Sequence, residues 1–361
     1  RGKDMTDITD GMRGVKKLDH DIKMIVNSGG DTTINQHSDS NATDKILRDT
    51  SKCEFIVVCD NMMTPTCRYA DILLPDVLGP ETDDIACQGG SNGGTTSMLP
   101  MHKAVEPQWD QKTSYEICRL IAKELGKEQE FTEGRTQLQW LEWCYNETRK
   151  KVPQLPDWDT FWKGGPAQVY GWRKNPVALS EFRADPVKTP SGKIEIYSER
   201  LNNIANTWKL NPGDVISPIP IYFRNWEMYG DELQKKYPLQ CYGFHHHGRI
   251  HSTFHNLPWL REQHPDVVFM NVLDAKARGI NNGDLVQIFN DRGIVELPAK
   301  VTSRIMPGVV SIPQGAWYTP VSKNGNVVDV GGNINTLTSL RPSPLAKGNP
   351  QHTNLVEVRK A

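Results

Sequence analysis

The sequence predicts an α/β plus β fold: an α/β region with parallel strands, a mainly helical middle region, and a small closed β-barrel at the carboxyl end. Three observations support this prediction. β-Branched runs alternate with a helical stripe near the amino end, amphipathic helical patterns fill the middle, and short strands recur near the carboxyl end. The 361-residue chain is long enough for several hydrophobic cores. We place the boundaries at residues 1–95, 96–235 and 236–361.

The amino-terminal region has the pattern of a βαβ unit. The runs Ile22–Val26, Glu54–Asp60 and Ala70–Asp76 are rich in β-branched and aliphatic residues, and a helical stripe separates the first two. The crossover between parallel strands is right-handed, and ligands of such sheets bind beyond the carboxyl ends of the strands. Residues 27–30 and 60–66 therefore form a candidate binding rim, although glycine after a strand also serves simply to turn the chain.

The other two regions differ in their periodicity. Residues 114–126 and 135–152 each carry an amphipathic helical pattern. After residue 236 the strand patterns are short, and residues 281–301 predict a hairpin that turns near Asp291–Gly293. Several short strands with one helical insertion favour a compact closed barrel.

Composition argues against several classes of protein. The formal net charge is −1, so the chain lacks the basic field that collects nucleic acid. No apolar run approaches the roughly 20 residues of a membrane-spanning helix, and we expect no transmembrane segment. The seven cysteines form no Cys-x-x-Cys pair, which argues against a zinc or iron–sulfur site in this chain.

Three loops of the predicted barrel are rich in carboxamides and glycine: residues 314–318, 331–338 and 348–354. A carboxamide offers a hydrogen-bond donor beside an acceptor, which matches the edge of a purine or pterin ring. Glycine lets backbone N–H groups approach phosphate. Turns also use Asn and Gly for purely conformational reasons. Three such loops in one small domain favour a polar heterocyclic ligand.

Residues 243–256 contain five of the ten histidines, and three interpretations of this histidine loop stay open from its residues alone. Three imidazoles suffice for a zinc site, although the loop holds no carboxylate to act as base or ligand. Arg249, Ser252 and Thr253 favour an anion, because guanidinium and hydroxyl groups bind phosphate oxygens. The third interpretation is a solvated structural cluster.

Taken in order, these stretches resemble the molybdopterin oxidoreductases of the dimethyl sulfoxide reductase family. Most stretches are weak alone, whereas the ordered series from about Ile22 to Val358 is specific. The chain is most similar to the carboxyl-terminal part of the catalytic A subunits of bacterial anaerobic members. The stretches that carry the resemblance are INQHSD, YADILLPD, TPSGKIEIYSERL, HHHGRIHSTF, NNGDLV, PGVVSIPQGAWY, GGNINTLT and HTNLVEV.

The resemblance implies a cofactor of molybdenum held by two molybdopterin guanine dinucleotides. It also implies a Rossmann-like α/β region, incomplete in this chain, that holds a guanosine end, and a carboxyl-terminal double-psi β-barrel that clamps both pterins. Carried over position by position, it assigns the nucleotide rim to Asn27, Ser28, Gly30, Gln36, His37, Asp60, Thr64 and Asp76. It assigns the pterin loop to His247, Arg249, His251, Ser252 and Thr253, and the remaining lining to Gln314, Trp317, Asn333, Asn335, Asn349 and Asn354.

Two features of the family are missing from this sequence. We find neither its molybdenum ligand nor the amino-terminal cysteine motif of its four-iron–four-sulfur cluster. The catalytic residues and any metal ligand therefore stay unassigned, and the cluster is expected only in an amino-terminal part that this chain lacks. We expect a fragment that is inactive by itself.

For the parent protein, the resemblance implies reduction of dimethyl sulfoxide or a related S- or N-oxide by oxygen-atom transfer. The implied partners are the small-molecule oxide, an iron–sulfur electron-transfer subunit and a membrane anchor subunit. The implied location is peripheral, on the periplasmic face of the bacterial inner membrane. The alternatives are a non-catalytic nucleotide-binding module on the same fold, a selenate, nitrate or formate enzyme of the family, and a zinc hydrolase that uses the histidine loop.

Overall fold

The computed structural model describes residues 18–88, 96–169, 189–224, 226–350 and 352–361. Its strands are β1 Met24–Ser28, β2 Phe55–Asp60, β3 Ile72–Pro75, β4 Asp84–Gln88, β5 Thr96–Met101, β6 Ala167–Val169, β7 Leu239–Phe244, β8 Val268–Met270, β9 Leu285–Phe289, β10 Ile294–Val301, β11 Val309–Pro313, β12 Pro320–Lys323, β13 Asn326–Asp329 and β14 Asn354–Lys360. Its α-helices are α1 Ser40–Arg48, α2 Ser114–Glu124, α3 Glu128–Thr132, α4 Gln137–Lys151, α5 Trp158–Gly164, α6 Glu199–Thr207, α7 Pro258–Gln263 and α8 Val272–Ala277.

The chain divides into two compact units. The first runs up to Leu73 and resumes at Tyr197, and the second comprises Leu74–Ile196. The first unit therefore combines the predicted α/β residues with the predicted barrel. The three-domain division at residues 95 and 235 stays a prediction.

Strands at the predicted positions form a sheet in the order β1-β2-β3, and β1, β2 and the start of β3 belong to the first unit. β1 and β2 pair in parallel, with Asn27 opposite Val58, and α1 connects them. The helix begins where the side chain of Asp39 accepts a hydrogen bond from the N–H of Ala42, and its last turn holds Lys45 and Arg48, which oppose the helix dipole. Alternation along β2 then directs Ile56 inward, into the small core beneath the helix.

The same unit contains a closed β-barrel of six strands. The neighbours follow the order β10-β8-β11-β7-β14-β9, and β9 closes the ring by pairing with β10. Closure leaves no free edge in this ring. Alternate residues such as Val286, Ile288, Val295 and Ile312 fill its interior and are almost completely buried. The predicted α/β region and closed β-barrel are therefore confirmed, including the hairpin β9–β10.

The second unit contains four helices of the predicted helical middle region, whose bounds at residues 96–235 stay a prediction. Helices α2 to α5 are present, and Tyr145 stacks on Phe161 with their ring centroids 4.2 Å apart. A three-stranded sheet in the order β4-β5-β6 accompanies them. Strand β5 was not predicted from the sequence, because it contains Pro100 and proline usually marks an edge strand or the end of a strand.

The hairpin β12–β13 was also missed, although its signal is present. Asn324 and Gly325 both have positive φ, 50° and 77°, at the turn, and Asn-Gly is the strongest short hairpin signal. Among the residues that the structure describes, every helix is too short or too polar to cross a bilayer.

Truncation of a core residue of the barrel should destabilise the first unit strongly. Ile312 is fully buried, so Ile312→Ala should lower the free energy of unfolding by about 2–5 kcal/mol through lost burial and a residual cavity. Urea unfolding measures the change. The matched control Ile250→Ala removes a side chain that is 65% exposed and should change the value by less than about 0.5 kcal/mol. Equal effects in the two variants would contradict this packing.

Candidate functional site

The candidate rim lies at the carboxyl ends of β1 and β2. Asn27 is buried there, and its Nδ2 donates to the carbonyl of Gly30 at 2.9 Å, while its Oδ1 accepts from the Thr33 hydroxyl at 3.2 Å. Gly29 and Gly30 have φ of +70° and +84°, with no atom within 4 Å of a Cβ on Gly29. Asn27 therefore shapes an open turn, while Ser28 beside it is exposed.

Sequence reasoning missed Asp31, which joins the two halves of the rim. One carboxylate oxygen accepts from the backbone N–H of Thr66 at 2.9 Å and from its hydroxyl at 2.6 Å. The other oxygen is buried and has no hydrogen-bond partner among the described residues. Burial raises the pKa of Asp31 to about 6, against the opposing hydrogen bonds from Thr66.

The other predicted rim residues differ in their surroundings. The carboxylate of Asp60 accepts from the N–H of Asn61 at 2.8 Å, so it caps the turn after β2. Thr64 is buried, and its hydroxyl lies 3.3 Å from the sulfur of Cys67. Asp76 belongs to the second compact unit, where its carboxylate accepts from Ser114.

A buried amide, Asn35, ties the α/β segment to the barrel loops. Its Nδ2 donates to the carbonyl of Ala316 at 3.1 Å, and its Oδ1 accepts from the N–H of Tyr318 at 2.8 Å. The side chain of Asn333 donates to the same Oδ1 at 3.3 Å, and that of Asn335 donates to the carbonyl of Asn35 at 2.7 Å. All four polar contacts cross between segments nearly 300 positions apart in the chain.

Asn349 extends this group. Its Nδ2 donates to Oδ1 of Asn335 at 3.0 Å and to the carbonyl of Gln36 at 3.1 Å, and its Oδ1 accepts from Ser38. We call Asn35, Asn333, Asn335 and Asn349 the asparagine cluster. The predicted carboxamides therefore do come together, and several of their hydrogen bonds are with one another.

A buried carboxylate shapes the loop that carries two members of the cluster. Asp329 is fully buried and accepts from the N–H groups of Thr319 at 2.8 Å, Gly331 at 2.9 Å and Asn333 at 2.7 Å. Burial raises its pKa to about 6, although these bonds oppose the shift. A Cβ on Gly331 would lie 1.9 Å from the carbonyl oxygen of Trp317, so only glycine fits this close approach.

Arg249 of the histidine loop is buried in a salt bridge. Its two terminal nitrogens lie 3.1 Å and 2.7 Å from the two carboxylate oxygens of Asp266, and its Nε donates to the carbonyl of Gln314 at 3.0 Å. The guanidinium is only 2% exposed. It therefore anchors the loop to the strand that precedes Gln314, and its predicted role toward the cofactor stays a prediction.

The rest of the loop packs on the loop after β11. His251 has φ of +50°, and its carbonyl lies so near Gly315 that a Cβ there would approach within 1.9 Å. The Nδ1 of His251 lies 3.3 Å from Nε2 of Gln314, and the indole N–H of Trp317 donates to the carbonyl of Ser252 at 2.9 Å. Thr253 pairs with Ile250 across the turn. Four of the predicted pterin-loop residues, Arg249, His251, Ser252 and Thr253, are thus brought together with Gln314 and Trp317.

Two predicted residues lie outside these contacts. His247 is exposed at the start of the loop, and Asn354 is fully buried at the start of β14, where its carbonyl accepts from the side chain of Gln240 at 3.1 Å. Among the residues that the structure describes, no group of three or more His, Cys, Asp or Glu side chains is placed to hold a metal ion. The zinc interpretation of the histidine loop therefore lacks a ligand set.

Two cavities flank the asparagine cluster. The first has a volume of about 360 Å³ and is lined by Gln36, His37, Arg341, Lys347 and Asn349 among others. The second, of about 320 Å³, shares Asn349 with the first and adds a wall of Trp226. Arg341 lies over that indole, with its Cζ 4.4 Å from the ring centroid, and one terminal nitrogen pairs with the buried Asp214 at 2.6 Å. Its buried Nε has no partner in the described part of the chain.

These residues fit a nucleotide. Cations suit phosphate oxygens, and the amides and imidazole suit the polar edge of a base. The volumes are at the lower end of those found for small-molecule sites. Three predicted residues, Gln36, His37 and Asn349, line one cavity. Sequence reasoning missed Arg341 and Lys347, which stand in a loop with no strand or helix signal.

Removal of the Asn35 amide should destabilise the first unit. Asn35→Ala leaves the buried N–H of Tyr318 and the carbonyl of Ala316 without their partner, at a cost of about 2–4 kcal/mol in the free energy of unfolding. Urea unfolding measures this cost. Asn203→Ala, at an exposed position of α6, is the matched control and should stay within about 0.5 kcal/mol of the parent. An unchanged free energy of unfolding in Asn35→Ala would show that the asparagine cluster does not hold the α/β segment to the barrel loops.

The pH dependence of stability should report on Asp31. Because its folded pKa of about 6 exceeds the ordinary 3.8, its contribution is fully present below pH 3.8 and is lost as pH rises through 6. Asp31→Asn, which stays neutral, should remove roughly 2–3 kcal/mol of the fall in unfolding free energy between pH 4 and pH 7. Denaturant unfolding across that range measures it. Asp19→Asn, at a carboxylate 91% exposed, should leave the pH profile unchanged, and an unaltered profile in Asp31→Asn would refute the assignment.

Comparison with known proteins identifies two regions of this chain. The family model described as Molydopterin dinucleotide binding domain matches residues 239–355, and the model described as Molybdopterin oxidoreductase matches residues 9–124. The first covers the barrel as far as the start of β14, and the second covers the sheet β1-β2-β3. Together they support the predicted cofactor, molybdenum with molybdopterin guanine dinucleotides.

Several relatives align along nearly the whole chain. Dimethyl sulfoxide reductase DmsA of Escherichia coli (strain K12) is 50% identical over 364 residues, which are 100% of this chain and 44% of that protein. Trimethylamine-N-oxide reductase 1 of the same organism is 33% identical over 94% of this chain and 40% of its own length. Acetylene hydratase from Pelobacter acetylenicus shares the fold, with a TM-score of 0.70 and 21% identity over 94% of this chain and 44% of that chain.

This chain thus spans less than half the length of the curated relatives it matches. The matched regions, their order and the level of identity agree with the motifs that run from Ile22 to Val358. The chain belongs to the molybdopterin oxidoreductase family.

Proposed function

We propose that the protein reduces dimethyl sulfoxide, or a related S- or N-oxide, by oxygen-atom transfer, and that this chain binds its molybdenum bis(molybdopterin guanine dinucleotide). The observation that carries the binding proposal is the asparagine cluster with its two flanking cavities. Asn35 lies in the region matched by the oxidoreductase family model, and Asn333, Asn335 and Asn349 lie in the region matched by the dinucleotide-binding model. The oxide substrate is proposed because relatives named dimethyl sulfoxide reductase are 50% and 46% identical to the chain.

We also propose the finer fold and domain assignments. Parallel pairs β7–β11 and β8–β10 occur within a ring whose other pairs are antiparallel, which supports a double-psi β-barrel. The parallel β1–α1–β2 unit supports a Rossmann-like region. We retain three functional regions at residues 1–95, 96–235 and 236–361, as the sequence predicts.

The surroundings of the candidate residues suggest which part of the cofactor each would bind. We assign the guanosine and phosphate part of one dinucleotide to the cavity that contains Gln36, His37 and Asn349, where Lys347 supplies positive charge, while Arg341 is paired with Asp214. We assign a pterin to the contact of the histidine loop with Gln314 and Trp317, because imidazole, amide and hydroxyl groups converge there. Asn27 and Asp60 would then shape the rim, and the buried members of the cluster would position the loops.

When bound, the cofactor supplies two-electron redox chemistry at molybdenum, through which an oxide and two protons become the reduced product and water. The residues of this chain do the positioning. Asn35 and Asp329 hold two barrel loops against the α/β segment, so the groups that contact the pterins and phosphates are placed before the cofactor arrives. Arg249 fixes the histidine loop in the same way, through Asp266.

The remaining assignments for the parent protein are proposals from the family resemblance. They are an iron–sulfur electron-transfer subunit and a membrane anchor subunit as partners, a peripheral location at the periplasmic face of the inner membrane, and a four-iron–four-sulfur cluster elsewhere in the protein. Affinity purification from membranes under anaerobic conditions, followed by identification of the associated subunits, tests the partners.

The activity is tested with the purified holoprotein in its natural length. Oxidation of reduced methyl viologen should accelerate on addition of dimethyl sulfoxide or trimethylamine N-oxide, and growth with tungstate in place of molybdate should abolish that acceleration. Protein that contains molybdenum and pterin yet responds to neither oxide would contradict the proposed substrate class and favour another oxidoreductase of the family. Protein without either group would favour a non-catalytic module.

Loss of one cation in the nucleotide cavity should weaken cofactor retention. Lys347→Gln removes a charge that would pair with phosphate, so the affinity for the guanine nucleotide part of the cofactor should fall about tenfold. The measurement is the guanosine monophosphate released per chain by acid hydrolysis after extensive dilution and gel filtration. Lys52→Gln, at an exposed site outside the cavity, is the control. Equal retention in both variants would remove Lys347 from the site.

A further inference from the structure

The outer wall of the barrel carries a cavity that the proposed function does not use. It has a volume of about 390 Å³ and lies where β7, β8, β10 and β11 run side by side. Alternation along the strands places Val268 and Ala299 in the barrel core, so Phe269 and Pro298 face outward. The cavity is therefore built by the outward positions of four neighbouring strands.

The floor of this cavity is apolar. Phe244 and Phe269 meet edge to face with their ring centroids 5.4 Å apart, and Val267, Pro298 and Pro313 continue the surface. A second cavity of about 200 Å³ shares the same two phenylalanines. We call the two cavities together the barrel groove.

The rim of the barrel groove is basic. Lys300, His247 and His264 line the larger cavity, and Arg304 lines the smaller one, whereas neither cavity is lined by Asp or Glu. The whole chain holds 43 Asp and Glu residues against 42 Lys and Arg residues. A groove lined by Lys and Arg without Asp or Glu is therefore more positive than the chain as a whole. No salt bridge to Lys300 or Arg304 occurs among the described residues.

One histidine of the groove is held neutral by its hydrogen bonds. Nδ1 of His246 accepts from the N–H of Gly248 at 3.0 Å, so Nε2 carries the proton and donates to the carbonyl of His264 at 2.9 Å. Burial and the nearby Arg249 lower the pKa of His246 in agreement with this state. A Cβ on Gly248 would lie 3.2 Å from both imidazoles, so glycine permits the contact. His246 thereby fixes one wall and contributes no charge.

We propose that the barrel groove binds a small organic anion with an aromatic or branched apolar body and one carboxylate or sulfonate group. The body would pack on Phe244 and Phe269, and the acid group would pair with Lys300. The volume lies within the range of small-molecule sites. Apart from His247 at its edge, the groove uses none of the residues assigned to the molybdenum cofactor, so this site stands independently of the proposed function.

The test is isothermal titration of the purified holoprotein with 2-naphthalenesulfonate. We expect saturable binding at one site per chain. Lys300→Gln should weaken it about tenfold, since a charge-assisted contact is lost, and Phe269→Ala should weaken it to a similar extent through lost burial. Lys300→Glu should abolish binding, because the rim charge is reversed. Lys276→Gln, at an exposed lysine outside the groove, should bind as the parent does.

Several results would overturn the proposal. Absence of saturable binding, or equal affinity in the parent and Lys300→Gln, would remove the groove as the site. Displacement by inorganic sulfate at the same concentration would show a bare anion site without a role for the apolar floor. Displacement by an acidic aromatic peptide at a much lower concentration would show a protein-docking surface instead. Urea unfolding of Phe269→Ala establishes that this variant is folded, and the lysine variants retain the core.

Discussion

The first unit depends on one buried amide, that of Asn35. A carboxamide in a dry interior must satisfy its donors and its acceptor, because each unpaired group costs about 1–3 kcal/mol. Here the partners come from barrel loops far away in sequence, at Ala316, Tyr318, Asn333 and Asn335. Each part therefore satisfies buried polar groups of the other: the barrel loops pair with the amide of Asn35, and Asn35 pairs with their backbone and side-chain groups. The proposed cofactor face draws on both parts, so folding would make that face rigid.

Buried carboxylates reinforce the same arrangement in two different ways. Asp329 is surrounded by backbone N–H groups and a hydroxyl, so it dictates a loop shape without a cation. Asp266 instead pairs with Arg249, which is buried with it. Buried charge contributes less to net stability than to the choice of one conformation, because desolvation offsets much of the attraction. The energetic cost of these groups is consistent with loops whose positions matter for binding.

Local patterns identified most of the fold. β-Branched runs marked β1, β2 and β11, and the helical stripe through Leu47 marked α1. Elements that depend on distant partners were missed: β5 contains Pro100 and is held by β4 and β6. The Asn324-Gly325 turn carried a local signal that was overlooked.

The sequence predicted the types of residue at the candidate site, but it did not predict most of the contacts between them. Amide-rich loops pointed to a polar ligand, and three of the named residues do line one cavity. No local pattern could show that Asn333 would be buried against Asn35, or that Arg249 would be neutralised by Asp266, since both depend on tertiary contacts. Asp31 escaped notice because a carboxylate after two glycines is an ordinary turn residue.

The cofactor content of the purified protein decides whether it binds molybdenum and molybdopterin guanine dinucleotides. The protein in its natural length would be produced anaerobically in a bacterium that makes molybdopterin guanine dinucleotide, and analysed for molybdenum, pterin and guanosine monophosphate. We expect about one molybdenum and two dinucleotides per chain, as the proposed cofactor requires. Folded protein from the same host that contains neither molybdenum nor pterin would contradict it.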